Sequence, residues 1–308
     1  GETEKQMADP LHFTLVQENL HPAFNSLDTL LGQRGQGARS KDGEGFKLHI
    51  VNAIWGQEDY EFLPAFLDVL AENYGAGLRI LDFIREPEKS SVTINDWVSN
   101  QTEGRIKDLI PQGLIDSMTR LVLTNAIYFN AAWRHAFDEN ATADGPFYMA
   151  DGEEISVPIM WQTESFAYTQ GTGYQAVELP YDGGELSMVI ILPEKGDFDT
   201  FEKELNAGQV EDIVNSFSTA QIALTMPKFE YESDFSLKDT LAAMGMPIAF
   251  SGAADFSGIT GTPGLFIAEV LHKAFVLVDE TGTEAAAATA VIMRESAMPA
   301  QPVEVNID

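Results

Sequence analysis

The chain has 308 residues, 44% hydrophobic and 21% charged, enough for one large or two modest globular domains, and no apolar run approaches the length that spans a bilayer. Forty-eight acidic against 18 basic residues leave a formal net charge of −30, a field that repels phosphate backbones and anionic membranes, so neither nucleic acid nor a membrane is expected as a partner. Cysteine is absent, which excludes disulfides, thiol catalysis and cysteine-ligated metal within this chain.

In chain order, Leu20, Ala23, Phe24, Leu27, Leu30 and Leu31 recur at helical spacing and stop at Gly32, a natural C-terminal cap. Gly32 to Gly45 is polar and glycine-rich and reads as a loop; Phe46 to Ile54 alternates as a strand does. Phe62, Leu63, Phe66, Leu67 and Leu70 mark a second helix, ended by Gly75 and Gly77. A third is predicted to start at Thr93, with Asp96 as its capping-box partner, and to carry Ile94, Trp97, Val98, Ile106 and Leu109. Beyond it the chain is strand-rich. Strands are predicted at Leu121 to Phe129, Tyr174 to Tyr181, Leu186 to Leu192, Gln221 to Tyr231 and Leu265 to Asp279. Helical interludes fall near Phe198 to Phe217 and Leu237 to Met244. Helices followed by many strands, with no linker, repeat or low-complexity tract, predict a single α+β domain over residues 1–308.

An active site is hard to find. There is no Gly-x-Ser-x-Gly elbow, no His-Glu-x-x-His and no P-loop. His12, His21, His49, His135 and His272 lack metal-ligand spacing, so structural roles are expected of them and no metal or cofactor is predicted. An acidic pair such as Glu153-Glu154 could serve a hydrolase, but 48 acidic residues produce such pairs by chance. Asn100-Gln-Thr102 and Asn140-Ala-Thr142 match glycosylation acceptors, a pattern short enough to arise by accident. The stretch from Glu280 to Pro299 stands out. Its alanines favour a helix on propensity alone. Yet it has no amphipathic stripe, and Gly282 and proline-containing stretches bracket it. A small-residue segment tethered at both ends by strands has the character of a protease-accessible loop.

Several separate stretches resemble one family. Asn125-Ala-Ile-Tyr-Phe-Asn-Ala-Ala-Trp133, followed by Phe137, is similar to the central-strand signature of the serpins. Asn95-Asp-Trp-Val98 with Thr102, Gly104, Ile106 and Leu109 resembles the helix that crosses their main sheet. Glu178-Leu-Pro-Tyr181, Met226-Pro-Lys-Phe229 and Ala254-Asp-Phe-Ser257 resemble further motifs. His272-Lys-Ala and Asp279-Glu-Thr-Gly-Thr-Glu-Ala-Ala-Ala-Ala-Thr-Ala290 resemble the strand and hinge that feed the reactive-centre loop. These motifs keep the family's order over nearly the whole chain. The family pattern leads one to expect an N-terminal helix and strand before a segment like Gly1 to Phe13 and two buried strands after Val303 to Asp308, so the sequence is expected either to be truncated at both ends or to lack them.

The resemblance implies helices around a large central mixed sheet, with a hinge and mobile reactive-centre loop over 280–300. It implies a monomeric protease inhibitor, not an enzyme, acting outside the cell or at its surface. The target serine protease would attack the loop, form an acyl-enzyme and be trapped as the loop inserts into the sheet. The implied hinge is Glu280, Gly282, Thr283, Glu284, Ala285, Ala286, Ala287, Ala288 and Thr289. Asn125 and His272 are implied as the hydrogen-bonded pair where the sheet parts, Trp133 as the aromatic at the loop's entry, and Lys228 with Glu280 as a salt bridge beside it. Counting the usual loop length from Glu280 gives Ser296–Ala297 as the scissile bond, with Arg294, Glu295 and Met298 as alternatives. Small residues there suit elastase-like or subtilisin-like pockets, whereas Arg294 would attract trypsin-like enzymes. Strand alternation supplies support of its own. Thr283, Ala285, Ala287, Thr289 and Val291 would share one face, all uncharged, with Glu284 on the other. Two readings compete: a non-inhibitory chaperone or carrier of the same fold, and an acidic hydrolase for which no motif speaks.

Overall fold

The structure is a computed structural model, and it describes residues 1–34, 47–75, 77–283 and 301–307. In chain order it holds helices α1 (Glu2–Ala8) and α2 (Gln17–Gly32), strand β1 (Lys47–Gln57), α3 (Pro64–Tyr74), β2 (Leu78–Leu81), α4 (Pro87–Gln101) and β3 (Leu121–Ala132). Strands β4 (Ala143–Tyr148), β5 (Glu154–Gly171), β6 (Tyr174–Pro180) and β7 (Ser187–Pro193) follow, then α5 (Phe198–Glu204) and α6 (Ala207–Asn215). Next come β8 (Ser218–Pro227), β9 (Phe229–Ser236), α7 (Lys238–Met244), α8 (Ser257–Thr260), β10 (Leu271–Val278), β11 (Gly282–Thr283) and β12 (Val303–Asn306). This is the α+β class expected from the sequence. The chain divides into two compact units: the first holds residues 1–33, 48–128 and 231–275, and among the described residues 129–230, 276–283 and 301–307 belong to the second, so the boundaries cut β3, β9 and β10.

In the first unit β1 pairs in parallel with β2, and β10 pairs in parallel with β3 through Lys273↔Ala126 and Ala274↔Ile127. Helix α4 lies on a core that contains Trp55, Phe83 and Ile106, and it buries Ile94 and Val98, one turn apart. Each such side chain, once fully buried, contributes about 1.5–3 kcal/mol. The predicted start of α4 at Thr93 is corrected. The helix begins six residues earlier, at Pro87, where a residue without an N–H loses nothing. Thr93 is mid-helix, and its hydroxyl donates to the Lys89 carbonyl at 2.8 Å. The predicted end of α3 holds: Gly75 takes the left-handed conformation at φ 56°.

In the second unit β5 is the spine. It pairs with β8 from Ile159↔Pro227 to Tyr168↔Ser218 and with β6 from Ala167 to Gly171, and β12 adds in parallel to β8. The predicted strand Gln221 to Tyr231 is two strands: β8 ends at Pro227 with the Lys228 N–H still donating to the Pro158 carbonyl opposite, and β9, from Phe229, leaves β5 and pairs with β10. The predicted strand from Leu265 begins only at Leu271. The β4–β5 hairpin carries Pro146 and Pro158 within its paired register. Interior prolines mask a strand in sequence, which is why neither strand was expected.

Candidate functional site

The site lies in the second unit, where β10 ends and the chain reverses. The Asp279 carboxylate accepts from the Thr281 N–H at 2.8 Å, the Thr281 hydroxyl at 2.6 Å and the Gly282 N–H at 3.2 Å. The Asp279 N–H in turn donates to the Gly282 carbonyl at 2.9 Å. An aspartate turning its own chain in this way satisfies donors that the sheet has not yet taken up. The reversed chain becomes β11, antiparallel to both neighbours, with Thr283 opposite Val278 of β10 and Ala131 of β3, and Gly282 opposite Ala132. A Cβ on Gly282 would meet the Ala132 Cα at 2.7 Å, so only glycine fits that approach.

Trp133 and Tyr181 flank this strand. Their rings stack at 4.6 Å with planes 7° apart. The Trp133 backbone N–H donates to the Thr281 carbonyl at 2.8 Å, and its indole N–H donates to the Asp279 carbonyl at 3.0 Å. The Tyr181 and Thr283 hydroxyls are hydrogen-bonded at 2.8 Å, with both residues buried. Burial pushes the Tyr181 phenol up to about 12, so it stays a neutral hydroxyl at physiological pH.

Glu280 is the charged member. Its carboxylate, 7% exposed, receives Lys228 Nζ at 2.9 Å and the Thr142 hydroxyl at 2.8 Å. Burial alone would raise its pKa. The hydrogen bonds from Lys228, its own backbone N–H and Thr142 outweigh that, and the net direction is down. The bond to Glu280 correspondingly raises the Lys228 ammonium.

Glu280, Gly282, Thr283, Trp133 and Lys228 are thus brought together. Asn125 and His272 are in the first unit, on β3 and β10, one residue before the pair Ala126↔Lys273. The Asn125 amide donates to Asn52 Oδ1 at 2.8 Å, and among the described residues no hydrogen bond joins it to His272. Glu284, Ala285, Ala286, Ala287, Ala288, Thr289, Arg294, Glu295, Ser296, Ala297 and Met298 lie outside the described residues. Sequence reasoning missed roles for Tyr181, Thr142 and Asp279. Tyr181 and Asp279 stood inside quoted motifs. Thr142 was quoted only in a glycosylation-acceptor pattern, which carries no signal for its bond to Glu280, 138 residues away.

Comparison with known proteins follows the same line. A model of the serpin (serine protease inhibitor) family matches residues 1–308. The leukocyte elastase inhibitor of Xenopus laevis is 39% identical over 300 residues, covering 95% of this chain and 78% of that protein. An uncharacterised serpin-like protein of Thermococcus kodakarensis is 39% identical over 307 residues, covering 100% of this chain and 69% of its own length. Among solved structures, a cleaved Serpin 42Da superimposes with a TM-score of 0.83 at 30% identity, covering 92% of this chain and 74% of that one. Serpin48 of the insect Tenebrio molitor gives 0.83 at 28% identity, covering 100% of this chain and 80% of its own.

Proposed function

The chain belongs to the serpin family, and on that premise we propose that it inhibits serine proteases as a suicide substrate, by inserting its cleaved loop into the central sheet. The observation that carries this reading is β11. Gly282 and Thr283 are already paired with β3, and Thr283 also with β10, as the first residues of an incoming strand. Continued in the same antiparallel register, Ala287 would fall opposite Ile127 and Ala274, and Thr289 opposite Asn125 and His272. Insertion must therefore replace the direct pairs Ala126↔Lys273 and Ala274↔Ile127. On this reading Asn125 and His272 mark where the sheet parts.

The energetics favour a small-residue hinge. Ordering about ten residues costs roughly 1–2 kcal/mol each. Each new hydrogen bond returns about 0.5–1.5 kcal/mol, so the balance is close and side-chain fit decides it. Thr283 is 2% exposed, and Ala285, Ala287 and Thr289 follow it at alternate positions, so the inward face carries no charge to desolvate. The protease serine attacks the scissile carbonyl and forms an ester with the new carboxyl end, and the amine leaves with the C-terminal fragment. The leukocyte elastase inhibitors among its relatives, and the small pair Ser296–Ala297, support an elastase-like or subtilisin-like target.

The test is incubation of the full-length protein with pancreatic elastase, subtilisin and trypsin, followed by boiling in detergent and sequencing of the released fragment. A stable complex with elastase or subtilisin and a fragment beginning at Ala297 is expected. Cleavage after Arg294, with trypsin trapped best, overturns the bond assignment. Complete cleavage by every enzyme with no complex indicates a non-inhibitory chaperone or carrier instead.

A further inference from the structure

We propose that Tyr181 is a positioning residue: its hydroxyl latches Thr283 into the sheet of the uncleaved molecule, so that strand insertion starts from a seeded strand and not from a free loop. Three observations carry this. The seat is small. A two-residue strand orders two residues for a few ladder bonds, costs and returns of the same size, so one further bond decides whether it stays. The second observation is that the phenol is anchored on two sides by groups outside the hinge, Phe129 and Leu186, and on a third by Trp133, which is itself bonded to the Asp279 and Thr281 carbonyls. The Tyr181 ring stacks on Trp133, meets the Phe129 ring edge-on at 5.1 Å, and its backbone N–H donates to the Leu186 carbonyl at 3.0 Å. A hydroxyl on a post so anchored is organised to receive Thr283. Third, the bond is closed from water, with Tyr181 3% and Thr283 2% exposed, and unseating the hinge would break it.

The consequence for inhibition rests on the inhibitor reading above: trapping is a race between insertion and hydrolysis of the acyl-enzyme, and a seeded strand starts ahead. The seat itself does not depend on that reading. Tyr181→Phe keeps the stacked ring and removes only the hydroxyl; Thr283→Val keeps the branched shape and Thr283→Ser keeps the hydroxyl. In the uncleaved full-length protein, backbone amide exchange at 281–283 is followed by mass spectrometry, with the amides of β5 and β8 as an internal control for folding. Losing one hydrogen bond should speed exchange at 281–283 roughly three- to tenfold in Tyr181→Phe and Thr283→Val. Exchange in β5 and β8 should not change, and Thr283→Ser should exchange like wild type. With subtilisin, the same two variants should need more inhibitor per protease trapped than wild type.

Unchanged exchange in Tyr181→Phe overturns the latch, whatever the inhibition assay gives. So does a Thr283→Ser variant that exchanges like Thr283→Val, which would assign the seat to packing and not to the hydroxyl. A wild-type protein that traps no protease defeats the inhibitor reading alone, and the exchange data still decide the latch.

Discussion

Thr283 meets the Tyr181 phenol in a buried slot, and a charge placed there would have to leave water. Thr283→Arg should unseat the hinge, because desolvating the guanidinium costs several kcal/mol. A barrier to insertion raised by only about 1.4 kcal/mol slows it tenfold. The variant should therefore be cut as a substrate and release active protease. Glu284→Arg, which strand alternation would place on the other face of an inserted strand, should remain an inhibitor; equal trapping by both would sink the alternating-face reading. Glu280 gives a pH signature. Its folded pKa lies below the ordinary value, so its contribution is complete above the unfolded pKa of about 4.3 and is lost as pH falls through the lower folded value. Lys228 is 41% exposed, so solvent screens part of the attraction, and the hydrogen bonds to a buried carboxylate carry most of it. Glu280→Gln should cost about 1–3 kcal/mol near neutrality. The gap between the two proteins' melting temperatures should shrink as pH falls through the folded-state titration of the wild-type carboxyl, below the ordinary glutamate range.

Among the elements, α4 shows how a motif acquires a physical meaning. Asn95 uses both ends of its amide on one residue: Nδ2 donates to the Ile110 carbonyl at 2.9 Å and Oδ1 accepts from the Ile110 N–H at 2.8 Å. Thr102, fully buried, donates its hydroxyl to the Val98 carbonyl and accepts from the Ile106 N–H. These two side chains tie the segment after α4 back onto the helix. Asn95→Ala strands a buried donor and acceptor and should cost about 2–4 kcal/mol. Asp96, read from sequence as a helix cap, is mid-helix and exposed, so Asp96→Ala should change stability by less than about 0.5 kcal/mol. Urea unfolding midpoints compare the two directly. A large effect at Asp96 with none at Asn95 would reverse this assignment.

For the whole molecule, insertion of the loop predicts that the cleaved protein is the more stable one. A new central strand pairs on both edges, and at about 2 °C per kcal/mol a gain of about 5 kcal/mol raises the melting temperature by about 10 °C. Full-length protein nicked in the loop should melt well above the intact form. Equal melting temperatures would refute insertion while leaving a substrate-like loop possible. The net charge of −30 acts at this scale too, because it opposes approach to polyanions and leaves protein surfaces as the natural partners.

What could be read from the sequence was whatever repeats over short distances. The helical spacing from Leu20 to Leu31 lies within α2, and Gly75 caps α3, because side-chain period and backbone chirality are local properties. Of the alternating hinge face expected from the sequence, only Thr283 falls among the described residues, and it is buried. The start of α4 was misread because a threonine followed three residues later by an acid also occurs inside helices. The β4–β5 hairpin was missed because its prolines argue locally against a strand that the sheet nonetheless accommodates. The site itself was decided by tertiary structure. Tyr181 meets Thr283 across 102 residues and Thr142 meets Glu280 across 138. No local pattern encodes such contacts; only the pairing of β11 with β3 and β10 and the stacking of Tyr181 on Trp133 bring those hydroxyls and carboxylates within reach.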